Sequence, residues 1–168
     1  MRLSGLALIS PKVFPDERGY FFESYRAHLG TFPQDNVAFS KKNVLRGLHY
    51  SSQAKLVSCL QGMIWDVAVD IRPDSPTFGE WEAVVLDDVS HQQFFIPVGF
   101  AHGYCVLSDT ALVHYKVSAL FDPKTEMSIR WNDPDLAIVW PIENPILSLR
   151  DKHSPFWKEI YADLGARG

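Results

Sequence analysis

The chain has 168 residues, 46% of them hydrophobic and 21% charged, with a net charge of −4. That length suits one domain, residues 1–168, with enough apolar content for a core. The mild acidity argues against a nucleic-acid partner, since such proteins are normally basic.

The stretch Met1–Ile9 is too short for a signal peptide or a membrane span. The two cysteines, Cys59 and Cys105, lie in apolar runs, which is where buried free thiols of a reducing cytosol are expected. The expectation is a cytoplasmic protein without a membrane partner. Aromatics at 13%, with 10 Gly and 11 Pro, favour short strands over long helices.

Along the chain, turn signals recur at short intervals: Asp16-Glu17-Arg18-Gly19, Gln61-Gly62, Arg72 to Pro76, Asp87-Asp88, Pro97-Val98-Gly99, Ser108-Asp109 and Asp122-Pro123. Between them run segments rich in β-branched and aromatic residues, the pattern of an all-β sandwich or barrel. Strands are expected at Tyr20–Glu23, Leu56–Leu60, Met63–Ile71, Glu80–Leu86, Phe94–Ile96, Tyr104–Leu107, Ala111–Val117, Met127–Trp131 and Ile138–Trp140. The clearest is Met63–Ile71, where Met63, Trp65, Val67, Val69 and Ile71 alternate with Asp66 and Asp70. Period two puts one face on a core and the other elsewhere. Helix is scarce. Ser24–Leu29 is expected to form a short one. Ser154–Leu164 is the better case, with Ser154 as N-cap, Pro155 in the first turn, Gly165 past the end, and Phe156, Trp157, Ile160 and Leu164 on the barrel side.

An anionic small ligand on an acidic chain needs a local basic cluster, for which Arg18, Arg46 and Lys55 are the candidates. Three histidines stand in loop or small-residue contexts: His49, His102 and His153. A metal site would need two His close together plus a nearby carboxylate. Neither His49 nor His102 has such a neighbour in sequence, so no metal is expected. The other chemistry is acid–base. Imidazole titrates near neutrality, and as a base it needs an acceptor on its second ring nitrogen. Asp66, Asp70, Glu126 and Asp151 are all open for that role, and Tyr115 is a strand residue able to act as an acid.

Several segments together resemble the dTDP-4-dehydrorhamnose 3,5-epimerase family: Phe14 to Glu23, Gln34-Asp35-Asn36, Asn43 to Tyr50, Lys55-Leu56-Val57, Asp66 to Arg72, Ser75 to Gly79, Ile96 to Gly103, Tyr115-Lys116, Trp140-Pro141 and Asp151. The resemblance implies a double-stranded β-helix, a cupin-like jelly roll, working as a homodimer that exchanges N-terminal strands and uses no metal or organic cofactor. It implies a nucleotide-sugar substrate, dTDP-4-dehydro-6-deoxy-D-glucose, inverted at C3 and C5. His49 matches the family's base, paired with Asp151 (Asp66 is second choice), and Tyr115 matches its proton donor. Lys55 is the expected partner of the enolate oxygen, and Arg18, Glu23, Gln34, Asn36, Arg46, Lys55, His102 and Glu126 match substrate contacts.

The chain also departs from the family. The segment Tyr50–Ala54 before Lys55 is short, with Ser51 in place of a common Gln. Arg150 stands where Lys is common, and Phe121 where Tyr is common. The alternative reading is a related epimerase that acts on one carbon, or on a GDP-, CDP- or heptose-type 4-keto sugar.

Overall fold

The structure, a computed structural model, describes residues 1–165, with side chains through Tyr161. The period-two run beginning at Met63 forms strand β7 (Met63–Asp70) at the heart of the fold. Its odd face packs Val67 and Val69 with Leu48, Ala101, Ile129, Leu136, Trp157 and Ile160. Its even face puts Ile64 and Ala68 into a second cluster with Val57, Phe94, Phe100 and Val113. Both faces of the strand are therefore buried: one by the opposite sheet, the other by the C-terminal part of the chain.

Eleven more strands complete the β-structure: β1 (Ala7–Ile9), β2 (Val13–Asp16), β3 (Gly19–Phe22), β4 (Gln34–Lys41), β5 (Leu45–Tyr50), β6 (Lys55–Gln61), β8 (Trp81–Asp87), β9 (Gln93–Ile96), β10 (Phe100–Val106), β11 (Thr110–Val117) and β12 (Met127–Ser128). One five-stranded sheet has the order β1-β9-β6-β11-β4, and the other β12-β5-β10-β7-β8. Every pairing between these strands is antiparallel. The two sheets form a jelly roll, and β2 and β3 make a separate hairpin outside it.

Several expectations need correction. Strands β4 and β5 were not among those expected. In β4 the usual polarity is inverted, with Gln34, Asn36 and Ala38 facing a cavity and Val37 and Phe39 exposed. In β5, Gly47 interrupts a strand-like run, and glycine weakens the strand signal. Residues 138–140 form no strand; the Trp140 indole instead donates to the Trp131 carbonyl (2.7 Å), capping the outer cluster. At 127–131 only Met127–Ser128 is a strand, although Ile129 still exchanges backbone bonds with Leu48.

The Ser24–Leu29 helix reduces to a single 3-10 turn, Ala27–Leu29, because Arg26 is extended. A helix not expected from sequence, α1 (Leu149–Lys152), begins at Ser148, whose side chain accepts from the Asp151 N–H. Helix α2 is Trp157–Gly165, and it starts later than Ser154. Asp133 accepts from the Trp157 N–H and Glu159 from the Phe156 N–H, so these carboxylates cap it, while Ser154 donates to Arg150. Trp157 and Ile160 are buried, each contributing about 1.5–3 kcal/mol, so packing holds a helix too short to persist alone. The expected contact of Leu164 lies outside the described side chains. Cys59 and Cys105 are buried free thiols, both pushed up to about 12 by burial. Among the described residues no helix is long and apolar enough to cross a membrane.

Candidate active site

Between the sheets lies a cavity of about 440 Å³. Alternation along four strands builds it, and on β5 a register irregularity between Arg46 and His49 brings both to the same side. From one sheet, β4 directs Gln34 and Asn36 inward, β6 directs Lys55 and β11 directs Tyr115; from the other, β5 contributes Arg46 and His49 and β10 contributes His102 and Tyr104. Glu126, immediately before β12, and the loop residues Ser51, Gln53 and Phe121 complete the lining. The short segment between β5 and β6 is tied down by Gln53, which donates to the Ala119 carbonyl at 2.7 Å.

His49 is bonded through Nε2 to Asp151 Oδ1 at 2.6 Å. Asp151 is buried at the start of α1. Burial alone would raise its carboxyl, but hydrogen bonding from His49, the Gly47 N–H and Ser148 holds it below the ordinary carboxylate range. It is therefore ionised at neutral pH and fixes the imidazole, leaving Nδ1 for the cavity. Gly47 is needed for this geometry. Its φ is +130°, and a Cβ there would lie 2.6 Å from the Gly103 Cα and 2.9 Å from the His102 carbonyl oxygen. Strands β5 and β10 thus approach closely beside the dyad, a separation that only glycine allows.

Asp66 does not orient His49. Fully buried on β7, it bonds His102 Nε2 at 2.9 and 3.0 Å. Burial lowers the His102 pKa despite this carboxylate, so His102 is neutral at pH 7. Asp70 is committed elsewhere, accepting from Arg72, Ser75 and Thr77. Lys55 is also buried, and desolvation brings it down to about 8 against the pull of Asp66 and Glu126. It is still mainly charged at pH 7. Burial raises the Tyr115 phenol, which is thus protonated and able to donate. Glu126 accepts from Arg150 at 2.9 Å, so the arginine's extra reach is used on a cavity carboxylate. Arg46 donates from Nε to Ser40 Oγ (3.0 Å) and from Nη2 to the Phe39 carbonyl (3.3 Å).

Two candidates stand apart. Arg18 sits in the turn between β2 and β3, its side chain 85% exposed and paired with Asp16. Glu23 pairs with Arg26 beside a different cavity. The basic cluster of Arg18, Arg46 and Lys55 is therefore not assembled within one chain. His153 is turned to the Leu149 carbonyl, and among the described residues no three His, Cys, Asp or Glu side chains converge in a metal-binding group. Sequence reasoning passed over Tyr104; its signal was its place two residues after His102, on the same strand face.

The family model for dTDP-4-dehydrorhamnose 3,5-epimerase matches residues 1–159. A dTDP-4-dehydrorhamnose 3,5-epimerase of Salmonella typhimurium is 48% identical over 161 residues, covering 88% of this chain and 88% of the relative. The solved structure of dTDP-6-deoxy-D-glucose-3,5-epimerase from Legionella pneumophila, in complex with dTDP-4-keto-L-rhamnose, superposes with a TM-score of 0.93 at 45% identity, covering 98% of this chain and 94% of that one. ChmJ, a 3'-monoepimerase from Streptomyces bikiniensis in complex with dTDP-quinovose, gives a TM-score of 0.91 at 34% identity, covering 98% and 89%. With sequence and architecture matched along almost its whole length, the chain belongs to the dTDP-4-dehydrorhamnose 3,5-epimerase family.

Proposed function

We propose that the protein is an isomerase that converts dTDP-4-dehydro-6-deoxy-D-glucose to dTDP-4-dehydro-L-rhamnose by inverting C3 and C5. One observation carries this reading. His49 and Tyr115 line a single cavity but project from opposing sheets, β5 in one and β11 in the other. Inversion at carbon needs a base on one face and an acid on the other.

The C4 ketone acidifies hydrogen on both neighbouring carbons. His49 Nδ1 takes a proton, and the electron pair moves onto the C4 oxygen as an enolate. The Lys55 ammonium stabilises that oxyanion, an effect that is usually a large term in a water-poor site. Tyr115 then delivers a proton to the other face, and the carbonyl re-forms. His102 and Glu126 hold sugar or nucleoside groups, Gln34 and Asn36 contact the nucleotide from β4, and Arg46 pairs with the diphosphate through charge-assisted bonds. None of these steps needs a metal or an organic cofactor.

The working form is a homodimer in this reading, with the β2–β3 hairpin of one subunit reaching the cavity of the other. Three features support it. The hairpin exposes Phe14, Tyr20 and Phe21, β4 is a sheet edge exposing Val37 and Phe39, and Arg18 and Glu23 lie away from their own chain's cavity. Large exposed apolar patches mark association surfaces. The buried free thiols fit a cytoplasmic setting.

The test is turnover of dTDP-4-dehydro-6-deoxy-D-glucose in deuterated water. Deuterium should enter at C3 and C5 of the product; its absence from both carbons defeats the reading. The likeness to a 3'-monoepimerase and the short Tyr50–Ala54 segment favour one alternative, inversion at a single carbon or of another nucleotide-linked 4-keto sugar. Deuterium at one carbon only, or faster turnover of a GDP- or CDP-linked sugar, identifies that case.

A further inference from the structure

We propose that Tyr104 is a further substrate-binding residue, with a hydroxyl that takes its hydrogen-bond partner from the bound ligand. The proposal rests on the epimerase reading for the identity of that ligand. Tyr104 projects from β10 into the same cavity as His102 and is only 4% exposed. Its Oη is the one buried side-chain nitrogen or oxygen among the described residues without a hydrogen bond of normal geometry. The neighbouring Ser40 hydroxyl influences it but does not reach that geometry, and accepts instead from Arg46. Buried hydroxyls are nearly always bonded, because an unpaired one forfeits its hydration without return. The ring itself needs no such group, since it packs with Phe94, Phe100, Val106 and Val113, where phenylalanine would serve equally. The hydroxyl is the feature that calls for a function.

Its surroundings identify the kind of partner. Across the β5–β10 pairing, Tyr104 stands opposite Arg46. Arg46 is held by neutral acceptors alone, Ser40 Oγ and the Phe39 carbonyl. An anionic ligand draws the guanidinium from these, which opens the space beside Tyr104 to an oxygen of the same ligand. Burial raises the Tyr104 phenol, with Ser40 and Arg46 opposing that effect, so the group is a donor at neutral pH. Its complement is an oxygen acceptor, supplied either by the diphosphate that Arg46 pairs with or by a hydroxyl of the attached sugar.

The variant Tyr104→Phe removes this one atom. Its melting temperature without ligand should equal or exceed that of the unaltered protein, since no internal bond is lost. The KM for dTDP-4-dehydro-6-deoxy-D-glucose should rise about fivefold at unchanged kcat, the size of one net hydrogen bond. The Kd for dTDP separates the two sources: it rises in parallel if the acceptor is on the diphosphate and stays constant if the acceptor is on the sugar. Unchanged KM and Kd together would overturn the proposal. So would a lower ligand-free melting temperature, which would reveal a partner inside the fold, or a fall in kcat alone, which would mark a role in the reaction itself. If the unaltered protein binds dTDP but turns nothing over, the epimerase reading fails; a dTDP Kd raised by Tyr104→Phe still supports the role of Tyr104, and an unchanged one then overturns it.

Discussion

His49 Nε2 and Asp151 Oδ1 stand 2.6 Å apart although 102 positions separate them in the chain. The carboxylate is buried, ionised, and further held by the Gly47 N–H and Ser148. It accepts from the imidazole and so leaves Nδ1 as the basic nitrogen. In Asp151→Asn the amide can donate to Nε2, which moves the imidazole proton to Nδ1 and removes the base. The expected loss in kcat is about 10²–10⁴-fold, the range for general acid–base catalysis, with KM little changed. His49→Asn should lose at least as much. Steady-state kinetics with a melting curve for each variant checks this; an Asp151→Asn protein that keeps its kcat would remove the dyad from the mechanism.

The pairing also shows how far the sequence could be read. Four carboxylates were open as partners of the histidine, and nothing local chose among them. The choice depends on which strands face which. Asp66 lies on β7 beside β10, where His102 takes it, while Asp151 comes from a four-residue helix set by one serine cap. Period two identified β7 and β11 because their alternation is ordinary. It failed on β4, whose inward residues are polar because they line the cavity, and on β5, where Gly47 serves a close strand approach. Of the five strands that line the cavity, β4 and β5 were the ones not legible, because there the site and a close strand approach impose their own residue types. Arg18 and Glu23 carried the family's pattern, yet their distance from the cavity appears only in three dimensions.

In the proposed mechanism Lys55 ties activity and stability to pH in opposite directions. Desolvation lowers it from 10.5 to about 8 in the fold. Below 8 it is charged in both folded and unfolded chains, and burial of that charge costs stability. Between 8 and 10.5 the unfolded chain holds more protons than the fold, so the contribution of this residue to stability improves as pH rises through that window. Catalysis should fall over the same range as the ammonium is lost. Lys55→Met should lower kcat by about 10²–10³-fold, raise the melting temperature at pH 7, and flatten the rise in stability above pH 8. Melting temperatures between pH 7 and 10 for both proteins check the sign; a lower melting temperature for Lys55→Met at pH 7 would contradict it.

The proposed exchange of hairpins predicts complementation. Arg18→Ala and His49→Asn should each be nearly inactive as separate dimers. When they are unfolded and refolded together, the mixed dimer has one cavity that combines an intact His49 with the partner's intact arginine. Activity should return in the mixture at a substantial fraction of the unaltered level. If Arg18 serves its own chain instead, no mixed dimer contains a complete site, and the mixture stays as inactive as its components.

The central claim is that base and acid act from opposite sides of one carbon, and Tyr115→Phe tests it most directly. In deuterated water this variant still has the base. It should exchange the substrate hydrogens next to the ketone, returning them from the His49 side, while forming almost no inverted sugar. His49→Asn should do neither. Nuclear magnetic resonance of the sugar C3 and C5 positions follows both events in one sample. Exchange without inversion in Tyr115→Phe is the predicted result; inversion at an undiminished rate in that variant, or exchange persisting in His49→Asn, would contradict the account.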